Sequence, residues 1–324
     1  MASGFTGVVS LTGLLNTLDP MNVLLTGSSG WLGRSLAPLL RSLGHQVVGV
    51  DPVPSPDTEV TGSVADGKLI RQLVFDHGID AIIHGGALHQ PNMATHPVDD
   101  FVAVNVQGTL NLLSAATEAG SPVRRFVHTS TTSLMISAEL RAGSFDHALW
   151  IDEDLQPLQP RNIYGVTKLA AEHLCRMHHE QFGLPLIVLR TARFFPEEDD
   201  RLHLMDQSDR NAKTNELLYR RLTVDDASAA HVAALNRAEE VGHGTYIVCA
   251  PTPFRREDCD ALMRDAPAVV ERYFPEYRPI YEKLGWTMFP SIDRVYDAGR
   301  IERELGFRCR TDFGAELAQL ANII

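Results

Sequence analysis

NVLLTGSSGWLG, residues 22–33, joins an apolar strand to an amphipathic segment through the glycines Gly27, Gly30 and Gly33. Because Gly27 and Gly30 carry no Cβ, the backbone can turn tightly there and approach a phosphate group. The first N–H groups and the dipole of the following helix attract its negative charge. The stretch predicts a strand-turn-helix that holds a pyrophosphate; the alternative is an ordinary turn in which the glycines serve packing.

A second apolar strand, residues 46–50, ends at Asp51, 21 residues after Gly30. An acidic side chain at about this distance binds the adenosine ribose in a βαβ nucleotide-binding unit. Its carboxylate accepts hydrogen bonds from both ribose hydroxyls and repels a 2′-phosphate, and no Arg or Lys follows before Lys68. The two motifs together predict NAD, rather than NADP, as the cofactor.

Strands and helices alternate between residues 22 and 191, which is typical of an α/β fold with a doubly wound parallel sheet covered on both faces. The predicted strands are 22–26, 46–50, one near Val60, 81–84, 125–129, 186–191 and 246–248, and the most regular helices are 98–119 and 162–182. Another helix begins near residue 222, where Asp225 and Asp226 can cap it. Beyond residue 250 we expect short helices and no strand alternation.

This pattern also divides the chain. Residues 21–192 and 222–250 form the predicted NAD-binding domain, and residues 193–221 and 251–324 form a smaller, mostly helical substrate-binding part. Residues 1–20 contain no Lys or Arg and so lack the basic start of a secretory signal. We expect them to be a disordered N-terminal extension.

The 324 residues are acidic overall, with 41 Asp and Glu against 29 Lys and Arg and a formal net charge of −12. This charge argues against nucleic acid or an anionic membrane as a partner, and no apolar run is long enough to span a membrane. The four cysteines are far apart and form no CxxC pair. We therefore expect no disulfide framework and no metal site, and a reducing cytoplasm suits the thiols.

Tyr164 and Lys168 form a YxxxK pair in the predicted helix 162–182, and this spacing places both side chains on one face about one turn apart. A phenol becomes a base at neutral pH only if its anion is stabilised by about three pKa units, or roughly 4 kcal/mol. An ammonium group about 4 Å away contributes about that much. Tyr164 is therefore a candidate acid and base for an alcohol that loses hydride to NAD. The alternative is that Tyr164 packs on the sheet and Lys168 pairs with Glu172.

The segment FVHTSTTS, residues 126–133, ends a predicted strand in five consecutive hydroxyl residues. Ligands of α/β proteins bind at the carboxyl edge of the sheet, so a hydroxyl here can hold a substrate oxygen for Tyr164. The alternative is a turn whose hydroxyls satisfy their own backbone.

Six motifs resemble, in the same order, those of the extended short-chain dehydrogenase/reductase family, also called the NAD-dependent epimerase/dehydratase family: TGSSGWLG, Asp51, HGGA at 84–87, NVQGT at 105–109, FVHTSTTS and YGVTK. The resemblance covers residues 21–250 and implies a Rossmann fold. It implies dinucleotide contacts from Gly27, Gly30, Trp31, Leu32, Asp51, Val64, Gly85, Gly86, Ala87, Asn105, Thr129, Tyr164 and Lys168. It also implies Thr131 as the catalytic hydroxyl, with Ser130 and Thr132 as alternatives in register.

Two positions depart from the family's pattern near the predicted cofactor and catalytic residues. Val64 stands where the family often has an adenine-binding Asp. In sugar-nucleotide 4,6-dehydratases the catalytic Thr is followed by an Asp and a Glu that eliminate water, whereas Thr132 and Ser133 follow Thr131 here. Dehydration therefore lacks its acid and base.

The substrate side departs as well. Nucleotide-sugar epimerases usually carry a long segment that grips the nucleotide, but Asp225 stands only 34 positions after Thr191. Arg193 stands where many of them place an Asn, and a guanidinium suits a carboxylate or phosphate. The alternative for Arg193 is a surface ion pair with Glu197, Glu198 or Asp199. The predicted substrate contacts are His89, Thr132, Arg193 and Asn215, and the covering part also contains Arg220, Arg221, Trp286, Phe289 and Arg294.

These features predict an NAD-dependent oxidoreductase that takes a hydride from a secondary alcohol or lactol of a small sugar-like substrate, with an acid group as an option. The nearest alternative is a nucleotide-sugar epimerase that retains NAD, and a third is a non-catalytic dinucleotide-binding sensor. By resemblance, helices 98–119 and 162–182 would pair two chains in a homodimer.

Overall fold

Seven parallel strands form the central sheet of the computed structural model, which describes residues 19–143, 145–194 and 207–323. Two more strands pair in a separate small sheet. In chain order the nine are β1 Asn22–Thr26, β2 Gln46–Asp51, β3 Val60–Thr61, β4 Ala81–His84, β5 Arg125–Thr131, β6 Leu149–Ile151, β7 Leu186–Thr191, β8 His243–Val248 and β9 Arg294–Tyr296. The central order, β3-β2-β1-β4-β5-β7-β8, grows outward from β1 in both directions and confirms the predicted doubly wound sheet.

Helices lie on both faces of this sheet and in the C-terminal part. They are α1 Trp31–Ser42, α2 Gly67–Asp76, α3 Val98–Phe101 with its continuation Gly108–Thr117, α4 Ala138–Ala142, α5 Ile163–Phe182, α6 Asp209–Glu216, α7 Val224–Val241, α8 Cys259–Tyr273, α9 Tyr277–Leu284, α10 Gly299–Leu305 and α11 Phe313–Ala321. A π-helical segment, Val102–Gln107, joins the two parts of α3. Within the described ranges, each helix is too short or too polar to pass through a lipid bilayer.

Both faces of the central sheet are apolar because both are covered by helices. Successive side chains of a strand point to opposite faces. In β1, Val23 and Leu25 belong to the core that includes α1 and α7, whereas Leu24 belongs to the core that includes α2, α3 and α5. Polar side chains stand at the carboxyl ends of several strands, for example Asp51 of β2 and His84 of β4.

Strand ends differ from the predicted ones where they matter for the site. β2 includes Asp51, and β5 continues past Thr129 to Thr131. β8 begins at His243 rather than at Tyr246. The longer β5 brings its run of hydroxyl residues to the carboxyl edge of the sheet.

Thr223 caps α7 by accepting a hydrogen bond from the backbone N–H of Asp226 at 3.1 Å. The prediction that Asp225 and Asp226 cap this helix is therefore wrong. Thr223 directly precedes the first helical residue, and only an oxygen at that position can reach the third N–H group. The Asp226 carboxylate instead accepts hydrogen bonds from the N–H groups of Arg310 and Thr311, which fasten the C-terminal part to α7.

Beyond residue 250, where we expect short helices and no strand alternation, the structure has one short strand, β9, which pairs with β6 in the small sheet. Each strand has three residues, too few for an alternating pattern to show in the sequence. Ile151 lies opposite Tyr296, and this pairing fixes the position of Arg294 two residues earlier. Nearby, α8, α9 and α11 build a separate core that includes Tyr281 and Phe313. The assignment of residues 193–221 and 251–324 to substrate binding stays a prediction.

Candidate active site

A cleft of about 1110 Å³ lies along the carboxyl ends of the parallel strands, where open α/β sheets bind ligands. It extends from the glycine turn after β1 to residues of β9. The predicted site residues that line it are Gly27, Gly30, Trp31, Leu32, Asp51, Val64, Gly85, Gly86, Ala87, His89, Thr129, Thr131, Thr132, Tyr164, Lys168 and Arg193. The structure therefore brings together most of the predicted residues, although their roles stay predictions.

The glycine turn lies against the loop that follows β4. Gly27 has a φ of 76°, and a Cβ on it would lie 2.7 Å from the backbone nitrogen of Gly86. That nitrogen donates a hydrogen bond to Thr26 Oγ1 at 3.0 Å. α1 begins directly after the turn, and its N-cap Gly30 supplies no side-chain cap. A helix N-terminus of this kind suits a pyrophosphate.

Asp51 lies beside this turn, and two backbone N–H groups orient its carboxylate. Val53 donates to Oδ1 at 2.8 Å and Ser29 donates to Oδ2 at 3.3 Å. Each carboxylate oxygen can accept further hydrogen bonds. The position and chemistry of Asp51 therefore fit the ribose hydroxyls of a dinucleotide.

Val64 lines the cleft where an adenine-binding carboxylate would be expected from the family's pattern. Its side chain packs on α3, because a Cβ on Gly108 would lie 2.5 Å from Val64 Cγ2. An apolar group at this position can contact a base only by packing. Asn111 Nδ2 donates to the Val64 carbonyl at 2.9 Å and holds the segment in place.

Asn105, a predicted cofactor contact, lies behind the cleft and is 1% exposed. Its carboxamide accepts a hydrogen bond from the N–H of Leu88 and donates to the Leu88 carbonyl, both at 2.8 Å. It also donates to Thr167 Oγ1 at 3.0 Å. Asn105 therefore ties the loop after β4 to α5. It lies in the π-helical segment, a type of irregularity that is frequent at functional sites.

The three predicted catalytic residues reach the cleft from two elements. Thr131 is the last residue of β5. Asn162 begins α5 by accepting a hydrogen bond from the N–H of Gly165 at 2.9 Å, which places Tyr164 in the first turn of the helix. Lys168 follows one turn later, and all three side chains line the cleft.

The alternative hydroxyls in register have other partners. Ser130 donates to Glu172 at 2.5 Å in the buried layer behind β5. Thr132 Oγ1 donates to the Thr191 carbonyl at 3.5 Å. Thr131 Oγ1 accepts a hydrogen bond from the N–H of Ser133 at 3.1 Å, and this leaves its own proton available to donate. This arrangement favours Thr131 over Ser130.

Lys168 is almost fully buried, with 2% of its surface exposed. Its Nζ atom lies 3.2 Å from His128 Nε2. Burial lowers the pKa of Lys168 to about 8, against the opposing effect of Cys175 and Glu172 on the same helix. At neutral pH the side chain is still an ammonium, and a positive charge in a buried site favours the anionic form of a nearby phenol.

Asn215, a predicted substrate contact, is fully buried in α6 and is not among the described residues that line the cleft. Its Nδ2 atom donates to the Thr287 carbonyl at 2.9 Å, and its Oδ1 atom accepts from the Tyr281 hydroxyl at 2.7 Å. These contacts hold α6 to α9. Trp286 and Phe289 pack in the same region against Tyr281 and Tyr219 respectively, rather than in the cleft.

The described residues that line the cleft include five arginines: Arg141, Arg161, Arg193, Arg220 and Arg294. Among the described lining residues, Asp51 is the one acidic side chain. Of these, Arg193 is a predicted substrate contact, and Arg220 and Arg294 belong to the predicted covering part. The sequence does not indicate Arg141 or Arg161. No motif links these residues, because they come from five separate segments that only the fold brings together.

Glu216 is 0% exposed and pairs with two of these arginines, Arg193 and Arg220, and with the neighbouring Arg221. Its carboxylate lies 2.6 Å from both Arg220 and Arg221 and 3.6 Å from Arg193. Burial by itself would raise the pKa of Glu216, but the three guanidinium groups together lower it. The Glu197, Glu198 and Asp199 side chains proposed as alternative partners of Arg193 lie outside the described residues.

Comparisons with known proteins agree with this geometry. Residues 23–250 match the model of the NAD-dependent epimerase/dehydratase family. The dTDP-glucose 4,6-dehydratase of Streptomyces antibioticus is 29% identical over 92% of this chain and 91% of its own length. The low-salt glycan biosynthesis protein Agl12 of Haloferax volcanii is 32% identical over 54% of this chain and 57% of its own length, so the match spans little more than half of that relative.

Among solved structures, a short-chain dehydrogenase/reductase superfamily protein from Agrobacterium tumefaciens with bound NAD superposes with a TM-score of 0.65 and 27% identity. The superposition covers 93% of this chain and 96% of that chain. The family match spans the glycine turn, Asp51 and the YxxxK pair, all of which line one cleft. This chain therefore belongs to the NAD-dependent epimerase/dehydratase family, whose members are Rossmann-fold enzymes of the extended short-chain dehydrogenase/reductase type.

Proposed function

We propose that this protein is an NAD-dependent oxidoreductase that takes a hydride from a secondary alcohol or lactol of a small sugar-like molecule bearing an acid group. The observation that carries the substrate class is the charge of the cleft. Among the described residues that line it, five arginines and Lys168 stand against one carboxylate, that of Asp51 beside the glycine turn. A cleft with this lining favours an anionic ligand.

The residues present fit NAD. The uncapped start of α1 suits the pyrophosphate, and the Asp51 carboxylate suits the adenosine ribose. Gly85, Gly86 and Ala87 line the cleft beside the turn and would contact the middle of the dinucleotide. When bound, NAD supplies the hydride acceptor.

The protein's own groups manage the proton. Tyr164, as the phenolate, takes the proton of the substrate hydroxyl while the C–H bond gives up its hydride, and a carbonyl forms. Thr131 donates a hydrogen bond to the hydroxyl oxygen and orients it. Lys168 stabilises the phenolate by its charge, so that proton transfer is feasible near neutral pH.

The arginines would hold the acid group of the substrate. A guanidinium binds a carboxylate or phosphate through two parallel hydrogen bonds, which gives both affinity and orientation. The backbone of Arg193 forms a parallel β-bridge with the backbone of Arg221. The Glu216 carboxylate pairs with the guanidinium groups of Arg193 and Arg220. An anion fixed in this way would set which carbon of the substrate faces Tyr164.

A nucleotide-sugar epimerase is the second candidate, and a specific observation favours it. The Streptomyces relative that matches over 92% of this chain is named as acting on dTDP-glucose, and arginines can bind a diphosphate as well as a carboxylate. Dehydration itself is disfavoured because Thr132 and Ser133, rather than carboxyl groups, follow Thr131. An epimerase returns the hydride to its substrate, so it would retain NAD through purification.

Turnover assays separate the two candidates. The purified protein with NAD is screened, by NADH absorbance, against neutral sugars, polyols, sugar acids and nucleotide sugars. We expect NADH formation with a sugar acid, and for Arg193→Met we expect a raised KM for the acid but an unchanged KM for the matching neutral sugar. Arg71→Met serves as the control because Arg71 is an exposed partner of Glu118. Silence with all free sugars, together with conversion of a nucleotide sugar, would reject the dehydrogenase.

We also propose that two chains pair through α3 and α5. Val98, Val102 and Val166 on these contacting helices are 57%, 46% and 48% exposed, and exposed apolar side chains that lie together mark interaction sites. Light scattering of the purified protein would give twice the 35.7 kDa chain mass if they pair.

A further inference from the structure

Three histidines from neighbouring elements form a buried row behind the cleft. His84 ends β4, His128 lies in β5 and His231 lies in α7, and each is at most 1% exposed. His84 and His128 are opposite each other in the parallel register, with their ring centroids 5.2 Å apart. Burial lowers the pKa of all three imidazoles.

Two of these histidines have a partner at each ring nitrogen. His84 lies 2.7 Å from Thr26 Oγ1 and 3.0 Å from Thr109 Oγ1. His231 lies 2.7 Å from the Ala227 carbonyl and 2.8 Å from Thr129 Oγ1. Both rings are therefore satisfied by neutral groups of the protein and have a structural explanation.

His128 differs from the other two. Its Nε2 atom lies 3.2 Å from Lys168 Nζ, and its buried Nδ1 atom has no hydrogen-bond partner within the described part of the chain. An ammonium can only donate, so Nε2 must accept and the ring proton must be on Nδ1. The fold leaves this N–H unpaired in the interior, at a cost that a buried donor normally avoids. The hydrogen bond that Nε2 accepts from Lys168 offsets that cost.

The other titratable groups around Lys168 cannot replace this contact. Glu172, one turn further along α5, is held by Arg190 at 2.7 Å and by Ser130 at 2.5 Å. Cys175 is a neutral thiol because burial raises its pKa. His84 and His231 are occupied as described. Among these groups, His128 is the one with a direct hydrogen bond to the ammonium.

We propose that His128 is a positioning residue, which keeps Lys168 charged and aims its remaining N–H groups at the cleft by accepting a hydrogen bond at Nε2. The proposal rests on the proposed function, in which Tyr164 depends on that charge. Without His128, the buried ammonium would lose the acceptor that lies 3.2 Å away and would give up its proton at lower pH. The upper limit of the pH range in which Tyr164 can act as a base would then fall.

The test measures the Lys168 titration directly. The chain has four lysines, Lys68, Lys168, Lys213 and Lys283, so selective ¹³Cε-lysine labelling gives a simple NMR spectrum, and Lys168→Met identifies the signal. We expect His128→Phe, which keeps an aromatic ring but no acceptor, to lower the titration midpoint of Lys168 by about one pH unit, the size expected for a hydrogen bond to a charged group. His128→Gln, whose amide oxygen can accept, should restore most of it.

His178→Phe is the matched control, because it replaces a buried histidine that lies in α5, rather than in β5, and contacts Thr117 instead of Lys168. An unchanged Lys168 midpoint in folded His128→Phe would overturn the proposal. If that variant does not fold, ¹⁵N-histidine spectra of the unaltered protein decide: the Nδ1–H tautomer of His128 is required, and the Nε2–H tautomer contradicts it. Both readouts are independent of turnover, so a protein that oxidises no sugar acid but shows the Lys168 shift would disprove the proposed function and leave the role of His128 intact.

Discussion

The backbone N–H of Ser29 donates a hydrogen bond to the Asp51 carboxylate at 3.3 Å, which joins the glycine turn after β1 to the end of β2. The carboxylate is therefore held at the point where an adenosine ribose would meet the turn. A fixed negative charge there accepts hydrogen bonds from a 2′-hydroxyl and repels a 2′-phosphate.

Replacing Asp51 should therefore change the cofactor preference. For Asp51→Ser we expect the ratio of kcat/KM with NAD to kcat/KM with NADP to fall by about tenfold or more, which corresponds to about 1.4 kcal/mol. Glu118→Gln is the control, since it removes one charge at an exposed pair with Arg71 outside the cleft. Equal ratios in Asp51→Ser and the unaltered protein would contradict this role.

Gly27 and Gly44 make a matched pair for testing the glycine turn. Both have positive φ, 76° and 91°, but a Cβ on Gly27 meets Gly86 at 2.7 Å, whereas a Cβ on Gly44 meets nothing within 4 Å. Gly44→Ala should lose about 1–2 kcal/mol of unfolding free energy from the backbone conformation alone. Gly27→Ala should lose roughly 1–3 kcal/mol more of unfolding free energy from overpacking, and it should also lose NAD binding. Denaturant titration of both variants measures the difference, and equal losses would refute the close approach.

The sequence specified the half of the cleft that depends on local motifs. The glycine turn, Asp51 and the Tyr164–Lys168 pair follow from spacing alone, because a turn and one helical face fix their relative positions. The arginine side could not be predicted in the same way. Arg294 reaches the cleft through a three-residue strand whose pairing with residue 149 depends on the tertiary fold.

Asn215 and His128 show two other limits. The position of Asn215 in the chain predicts a substrate contact, but its amide forms hydrogen bonds with Thr287 and Tyr281 inside the C-terminal core. His128 reads in the sequence as one more residue of a buried strand. Its contact with Lys168 joins β5 to α5 across 40 residues, and no periodicity encodes such a contact.

Glu216 should contribute much more to stability than an exposed carboxylate. Glu216→Gln would leave Arg220 and Arg221 without their buried counter-charge, and we expect a loss of about 3–5 kcal/mol in unfolding free energy. Glu302→Gln, which removes an exposed pair with Arg308, should cost less than about 1 kcal/mol. Denaturation of the two variants side by side tests this, and similar losses would show that Glu216 does not organise the cluster.

Lys168 should make activity and stability respond to pH in opposite directions. Its pKa is lowered to about 8 by burial, so the ammonium that Tyr164 needs is present below that pH and kcat/KM should decline as pH rises through it. An unfolded lysine keeps its proton to about pH 10.5, so between these values the unfolded chain binds more protons and the contribution of Lys168 to stability rises with pH. Comparison with Lys168→Met isolates that contribution. A contribution that falls over this range would contradict a lowered pKa.

The central claim is that the Tyr164 oxygen exchanges a proton with a substrate in a cleft that also binds NAD. The most direct measurement compares Tyr164→Phe with the unaltered protein, by turnover and by calorimetric NAD binding in parallel. We expect kcat to fall by about 10²–10⁴-fold, the usual contribution of a general acid–base group, while NAD still binds. Full turnover in Tyr164→Phe would contradict the account. An unaltered protein that binds NAD but shows no turnover would also contradict it.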